Sequence, residues 1–139
     1  MKRVIFLSIF LLSSCGEGDL PTAPTDVTNA NCVQGDVGIK AQRSRTGLEV
    51  NFFDAGEVIV LTVVPLNIYG GTLSSSCSYT RTASWSKAIS SRSAFCDFYG
   101  EEAGLQKLLQ CDTFAGDAQV TIGVKHGGFG NSRVFKVVQ

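Results

Sequence analysis

The sequence predicts an all-β fold, an antiparallel β-sandwich with one short helix and two disulfides. Apolar and polar residues alternate in several short segments of the 139-residue chain, which is the period of a half-buried strand. Clusters of glycine and asparagine separate these segments, as turns separate the strands of a sandwich. An even set of four cysteines follows residue 31, so two bridges can form within the domain.

Seven short strands carry this prediction. The run 57–64 is almost continuously apolar and β-branched and is followed by Pro65, so we expect a strand that is buried on both faces and ends at the proline. Residues 126–131 are rich in glycine and predict a hairpin loop between the last two strands. The predicted strands are 37–41, 48–52, 57–64, 79–85, 95–99, 118–125 and 133–138.

One segment, 101–109, has the pattern of a helix. Leu105, Leu108 and Leu109 lie at positions i, i+3 and i+4, which places them on one helical face. Glu101 and Glu102 would then lie in the first turn, where acidic side chains complement the helix dipole.

Three segments and one tryptophan resemble parts of extracellular immunoglobulin-like domains. Residues 56–63 are similar to the B strand of that family, 115–124 to the F strand and 133–138 to the G strand, and Trp85 takes the place of the C-strand tryptophan. The B and F segments contain no cysteine, Trp85 comes late, and no tyrosine precedes the F segment. The resemblance is to bacterial immunoglobulin-like or PKD-like modules, and it implies an immunoglobulin-like sandwich.

The N-terminal residues have the pattern of an export signal. Lys2 and Arg3 precede the nine-residue apolar run 4–12. As a helix this run would be about 13–14 Å long, too short for the roughly 30 Å hydrocarbon core of a membrane. The length and the basic start are typical of a signal peptide. The alternative is a buried N-terminal helix of the domain.

The motif Leu12-Ser13-Ser14-Cys15 resembles the lipobox of bacterial lipoproteins. The resemblance implies that Cys15 is acylated, becomes the new N-terminus and attaches the protein to a membrane. Gly16 follows the cysteine, where an aspartate would imply retention in the inner membrane. We therefore expect a lipid-anchored, extracytoplasmic protein of the cell envelope, on the outer membrane if the host has one.

This assignment divides the chain into three parts. Residues 1–14 are the predicted lipoprotein signal peptide, and 15–31 are the lipidated cysteine with a flexible tether rich in Gly, Pro, Thr, Asp and Asn. Residues 32–139 are the predicted β-sandwich domain.

Setting Cys15 aside leaves four cysteines for disulfides. Cys96 and Cys111 enclose 14 residues, which favours a local bridge between them and leaves Cys32 with Cys77, although three pairings exist. The alternative is a metal site. It is disfavoured because the sequence has no CxxC motif and one histidine.

Catalytic and metal-binding chemistry finds little support in the sequence. His126 stands beside the glycine-rich hairpin, so we expect an exposed loop residue and not a general base. A calcium site formed by Asp97, Glu101 and Asp112 is an alternative that lacks an ordered ligand spacing. We predict no catalytic residue, no metal and no cofactor.

Two features are candidate contact sites for a partner. The serine-rich stretch 72–93 contains Arg81, Lys87 and Arg92, and it is either a solvated strand and loop or a polar contact surface. Phe129 stands among glycines, and it is either an exposed contact residue or folded back onto the sandwich.

The predicted function is that of a binding or structural module of the envelope, with an envelope protein or glycan as partner. The formal net charge of zero gives no basic surface for nucleic acid. One alternative is a periplasmic inhibitor of a lysozyme-like hydrolase, since small disulfide-bonded β lipoproteins of that kind share this size and anchor. The other is a small envelope enzyme.

Overall fold

The computed structural model of the chain describes residues 30–90, 94–113 and 115–139. The predicted signal peptide, Cys15 and Arg92 lie outside these ranges. The described part contains one 3-10 turn, Ala30–Cys32, and eight strands. The strands are β1 (Gln34–Arg43), β2 (Phe52–Asp54), β3 (Val58–Asn67), β4 (Ser84–Ile89), β5 (Ala94–Tyr99), β6 (Gln106–Thr113), β7 (Ala118–His126) and β8 (Phe129–Val138).

The strands form two four-stranded sheets packed as a sandwich, which confirms the predicted fold class. The first sheet has the order β1-β3-β6-β5 and the second has the order β2-β8-β7-β4. All pairs are antiparallel except β2 with β8, which is parallel. These orders match strands A-B-E-D and G-F-C of the immunoglobulin fold, with β2 added beside the G equivalent. The segments predicted as B, F and G are β3, β7 and β8, and Trp85 lies in the C equivalent, β4.

The core lies between the two sheets and is built from alternate residues of each strand. β3 buries every second residue, and β7 does the same from the opposite sheet. The other face of β3 is half-buried, so the expectation that this strand is buried on both faces is wrong. The large side chains at the centre are Phe53, Ile59, Leu61, Leu109, Ile122 and Phe135.

β3 does not end at Pro65, as the sequence had predicted, but continues to Asn67. Its pairing with β6 stops at Thr62, and the Pro65 carbonyl accepts a hydrogen bond from the N–H of Leu73. The N–H and C=O of one strand residue face the same neighbour. The N–H that proline lacks would therefore have faced this short segment and not β1. The pairing of β1 with β3 continues past Pro65 to Asn67, with one irregularity between Gln34 and Asp36.

The helix predicted over 101–109 is wrong, because residues 106–113 form β6. Leu109 lies in the core, whereas Leu108 is 38% exposed on the opposite face of the strand. The leucine spacing fits a helical face, but β6 is paired with β3 on one side and β5 on the other. This pairing overrides the local preference. Residues 101–105 form the turn that leads into the strand.

Several strand limits also differ from the prediction. β4 begins at Ser84 and not at residue 79, and β2 begins at Phe52 and not at residue 48. The predicted six-residue loop between the last two strands is a two-residue turn, Gly127-Gly128, with φ of +58° and +88°. Left-handed backbone at both positions is what a tight hairpin requires, and glycine adopts it without strain. Both neighbouring strands therefore extend to the turn.

Two disulfides are present, with the predicted pairing. Cys96 and Cys111 face each other on β5 and β6, with their Cα atoms 4.1 Å apart. Cys32 and Cys77 join the 3-10 turn to the segment before β4, with a Cα separation of 5.3 Å. Because disulfides persist in oxidising compartments, the pair of bridges is compatible with a location outside the cytoplasm.

Arg133 connects the second sheet to the first. From β8 its guanidinium donates to the carbonyl of Ile39 on β1 at 2.9 Å and to the carbonyl of Val50 at 3.0 Å. Its charge also lies 5.1 Å from the centre of the Phe135 ring. A planar donor group of this kind suits the simultaneous contact with two separate carbonyls.

Candidate functional site

His126 is buried in the structure, so the expectation of an exposed loop residue is wrong. It is the last residue of β7 and 2% exposed, because the two-residue turn keeps it in the strand. Its Nε2 lies 2.9 Å from the carbonyl oxygen of Thr80, so this nitrogen carries the proton and donates. Nδ1 is buried and has no partner among the described residues. The imidazole therefore holds the segment before β4 against the hairpin.

Phe129 is folded onto the sandwich, which is one of the two placements considered from the sequence. It is half-buried at the start of β8, paired with His126 across the turn. Its ring packs against the cluster around Val37, Val63 and Val124. The side chain thus closes one end of the core.

Lys87 is used to join the two sheets. It extends from β4, and its Nζ donates to the carbonyl of Cys96 on β5. The same Nζ lies 3.3 Å from Oδ1 of Asp97 and 5.3 Å from the centre of the Phe98 ring. Because of these contacts within the protein, the Lys87 ammonium group is largely occupied and has little capacity left to bind a partner.

Arg81 is exposed, and it stacks on a neighbouring tyrosine. Its guanidinium carbon lies 4.3 Å from the centre of the Tyr79 ring, and Nη1 donates to the Tyr79 hydroxyl at 2.9 Å. Stacking fixes the direction of the guanidinium while most of its N–H groups remain available. Arg81 also contributes to a cavity with the start of β6.

This cavity, the β5–β6 pocket, has a volume of about 470 Å³. The end of β5, the turn of residues 100–105 and the start of β6 form its walls. Its lining combines cationic, acidic and apolar side chains, among them Arg81, Tyr99, Glu101, Leu105, Lys107 and Leu108. A cavity of this size accepts a small organic ligand.

An exposed apolar surface adjoins the pocket on the outer side of the first sheet. Tyr99 of β5, Leu108 of β6 and Val60 of β3 are direct cross-strand neighbours and form a row. Phe95 is 53% exposed and Tyr99 is 48% exposed, one near each end of β5. We call the surface formed by Val58, Val60, Phe95, Tyr99 and Leu108 the β3–β6–β5 face.

Polar side chains on the same surface are largely engaged with the protein itself. The side-chain amides of Gln42, Gln106 and Gln110 each donate to a backbone carbonyl or a hydroxyl of the chain, at 2.6, 3.3 and 2.9 Å. These amide donors are therefore occupied. Asp112, the cross-strand neighbour of Phe95, stays exposed beside the apolar side chains of this face.

β5 is an edge strand, with β6 on one side only. Edge strands present unpaired backbone N–H and C=O groups, which add directional contacts for a bound protein chain. Apart from the carbonyl of Cys96, which accepts from Lys87, the outer backbone groups of β5 beside Phe95 and Tyr99 are not paired within the sheet. This combination makes the β3–β6–β5 face and the adjoining pocket the candidate functional site.

Sequence analysis missed Phe95, Tyr99 and Leu108, although the cysteines carried a usable signal. If Cys96 and Cys111 both point inward to form a bridge, strand alternation places Phe95 and Leu108 outward. The same alternation places Lys107 inward, because it lies four residues before Cys111 on the strand. The incorrect helix over 101–109 hid this pattern.

The three acids considered for calcium are not assembled into a site. Among residues 30–90, 94–113 and 115–139, no group of three or more His, Cys, Asp or Glu side chains could hold a metal ion. In the same part of the chain, no helix is long and apolar enough to cross a membrane.

Comparison with known proteins adds no relative. No protein-family model, no curated protein and no solved structure gives a significant match to the chain.

Proposed function

We propose that the protein is a lipid-anchored binding module of the cell envelope, which contacts an envelope protein through the β3–β6–β5 face. The observation that carries this proposal is the exposure of Tyr99 and Leu108 as cross-strand neighbours at the edge of a sheet, with Phe95 exposed near the other end of the same edge strand. Large apolar side chains grouped on a surface are characteristic of contact sites, and aromatic residues dominate the binding energy of such sites.

A protein partner suits this surface better than a glycan. Sugar hydroxyls need side-chain donors as well as acceptors, and the amide nitrogens of Gln42, Gln106 and Gln110 already donate within the domain. Aliphatic side chains such as Val60 and Leu108 continue the aromatic surface and favour contact with apolar side chains. The free edge of β5 supplies backbone groups that a protein strand or loop can pair with.

The envelope location is supported by two independent observations. The N-terminal residues resemble a lipoprotein signal that ends at Cys15, and the domain contains two disulfides. An acylated N-terminus followed by a polar tether would hold the domain at the membrane surface. In that position the partner is a component of the same envelope.

The contact surface is tested by chemical crosslinking in cells that produce the full-length chain. We expect one discrete crosslinked species with the wild type, and its loss in Phe95→Ala. Phe52→Ala is the matched control, because Phe52 is 55% exposed on β2 of the second sheet. Truncation of an aromatic residue that anchors an interface costs about 2 kcal/mol or more, roughly a thirtyfold loss of affinity. Equal crosslinking by both variants would reject the assigned face.

The anchor is tested separately, by growth with labelled palmitate. We expect label in the wild-type chain and none in Cys15→Ser. Ser14→Ala is the control, since it keeps a small residue before the cysteine and should retain the label. Label that persists in Cys15→Ser would show that the acyl group is not on Cys15.

A further inference from the structure

Lys107 is a buried lysine at an inward position of β6, where Leu109 and Cys111 also face the core. The residue is 6% exposed. Among the described residues, the four ion pairs involve other cations, and Lys107 makes no side-chain hydrogen bond. In the same part of the chain, the buried polar side-chain atoms without a partner belong to Thr113 and His126, so the stem of Lys107 is buried while its Nζ keeps access to the surface. This cation is therefore available to a partner from outside the described domain.

The β5–β6 pocket is where such a partner would bind. Lys107 and Arg81 both line it, against one carboxylate, Glu101, so the cationic side chains outnumber the acidic one. Tyr99 and Leu105 add apolar surface. Two cations beside an aromatic ring and an aliphatic side chain match a ligand that carries a negative group on an apolar body.

We propose that the β5–β6 pocket binds a carboxylate attached to an apolar group, with Lys107 as the main contact of the carboxylate and Arg81 as the second. Tyr99 and Leu105 contact the apolar part. A free small carboxylic acid and the C-terminal carboxylate of a peptide that ends in an apolar residue share this chemistry. The inference requires neither the anchor nor the partner on the β3–β6–β5 face.

The fluorescence of a tryptophan next to the pocket can be used to detect binding. Trp85 is the only tryptophan of the chain, and its indole Nε1 donates to the carbonyl of Gly104 at 2.8 Å. Gly104 lines the pocket. Occupation of the pocket should therefore change the tryptophan emission.

The test is a fluorescence titration of the full-length chain, checked by calorimetry. The probes are phenylacetate and an acetylated dipeptide ending in phenylalanine, each compared with its neutral amide. We expect saturable binding of at least one acid, at least tenfold tighter than its amide. The probe that binds tighter identifies the source of the carboxylate. Absence of saturable binding by both acids, or equal binding of acids and amides, would overturn the proposal.

Variants of the two cations separate a binding role from a structural one. Lys107→Met should weaken binding at least tenfold, while Lys40→Met, at an exposed position of β1, should leave it unchanged. Methionine has a similar length and keeps the packing of the buried lysine stem, so Lys107→Met should preserve the urea midpoint. Arg81→Gln, at an exposed residue, should weaken binding several-fold, which keeps the test available if Lys107→Met does not fold. Unchanged binding in a folded Lys107→Met would contradict the proposed role of Lys107 in the pocket. If Lys107→Met does not fold, unchanged binding in Arg81→Gln would contradict the proposed site.

The outcome is independent of the crosslinking test. Loss of carboxylate binding with intact crosslinking would be traced to the pocket. The reverse result would be traced to the β3–β6–β5 face.

Discussion

Removal of the Cys96–Cys111 bridge is the perturbation whose cost follows most directly from the structure. The bridge closes a loop with a sequence separation of 15, which contributes about 3 kcal/mol in the chain-entropy model. Both sulfur atoms also belong to the core cluster. Cys96→Ala/Cys111→Ala therefore removes two buried groups in addition, at about 1 kcal/mol each. We expect a total loss of about 5 kcal/mol in the free energy of unfolding.

The assay is urea denaturation of the oxidised wild type and the double variant, followed by Trp85 fluorescence. A loss of about 5 kcal/mol is a large part of the 5–15 kcal/mol typical of a folded domain. A loss near 3 kcal/mol would mean that the sulfurs add nothing beyond the covalent link, which would refute their placement in the core.

The second bridge is the internal comparison. Cys32–Cys77 spans a sequence separation of 45, for which the same model gives about 4 kcal/mol. Cys32 is half-buried, whereas Cys96 and Cys111 are both buried. Under native conditions a thiol reductant should therefore open Cys32–Cys77 first. Earlier opening of Cys96–Cys111, seen by alkylation and peptide mapping, would contradict the packing of β5 on β6.

Three further predictions concern single residues. Arg133→Met should lower the free energy of unfolding by about 2–3 kcal/mol in urea denaturation, because two carbonyls lose a charged donor. Lys40→Met is the control, and a similar loss in that variant would refute the prediction. Gly128→Val should lower the thermal midpoint, since its φ of +88° is unfavourable for a β-branched residue; an unchanged midpoint would contradict the two-residue turn. The Lys136 hydrogen bond holds the pKa of Asp117 below its ordinary value. The ionised carboxylate therefore stabilises the fold at pH values above the pKa that Asp117 has in the unfolded chain. This contribution is lost as the pH falls through the lower pKa of the folded state. Asp117→Asn should therefore show a smaller drop in the urea midpoint between neutral and acidic pH than the wild type, and an equal drop would contradict the pairing.

The strands that the sequence predicted well are those whose pattern allows only one structure. β7 alternates apolar and polar residues over its whole length, and a helix of that sequence would have no apolar face. β5 was also predicted, and the short separation of Cys96 and Cys111 indicated their bridge. The immunoglobulin-like order followed from the resemblance of the strands corresponding to B, F and G.

Most of the failures share a physical cause, which is that the decisive contacts are distant in the sequence. The leucines of β6 satisfy both a helical and an extended pattern, and only the pairing of β6 with β3 and β5 selects the strand. His126 is buried because the turn that follows it needs only two residues, and because the carbonyl of Thr80 lies within hydrogen-bond distance. The bridge between Cys96 and Cys111 could have indicated the outward residues of β5 and β6, but the place of β3 beside them depends on the topology.

The proposed contact of the β3–β6–β5 face with an envelope protein is tested most directly by site-specific photocrosslinking in producing cells. A photoreactive phenylalanine analogue is placed at Tyr99 in one strain and at Phe52 in the other. Both positions are exposed, at 48% and 55%, but they lie on opposite sheets. We predict an adduct of one defined mass at Tyr99, containing a peptide of an envelope protein, and none at Phe52. No adduct at Tyr99, or the same adduct at both positions, would contradict the proposal.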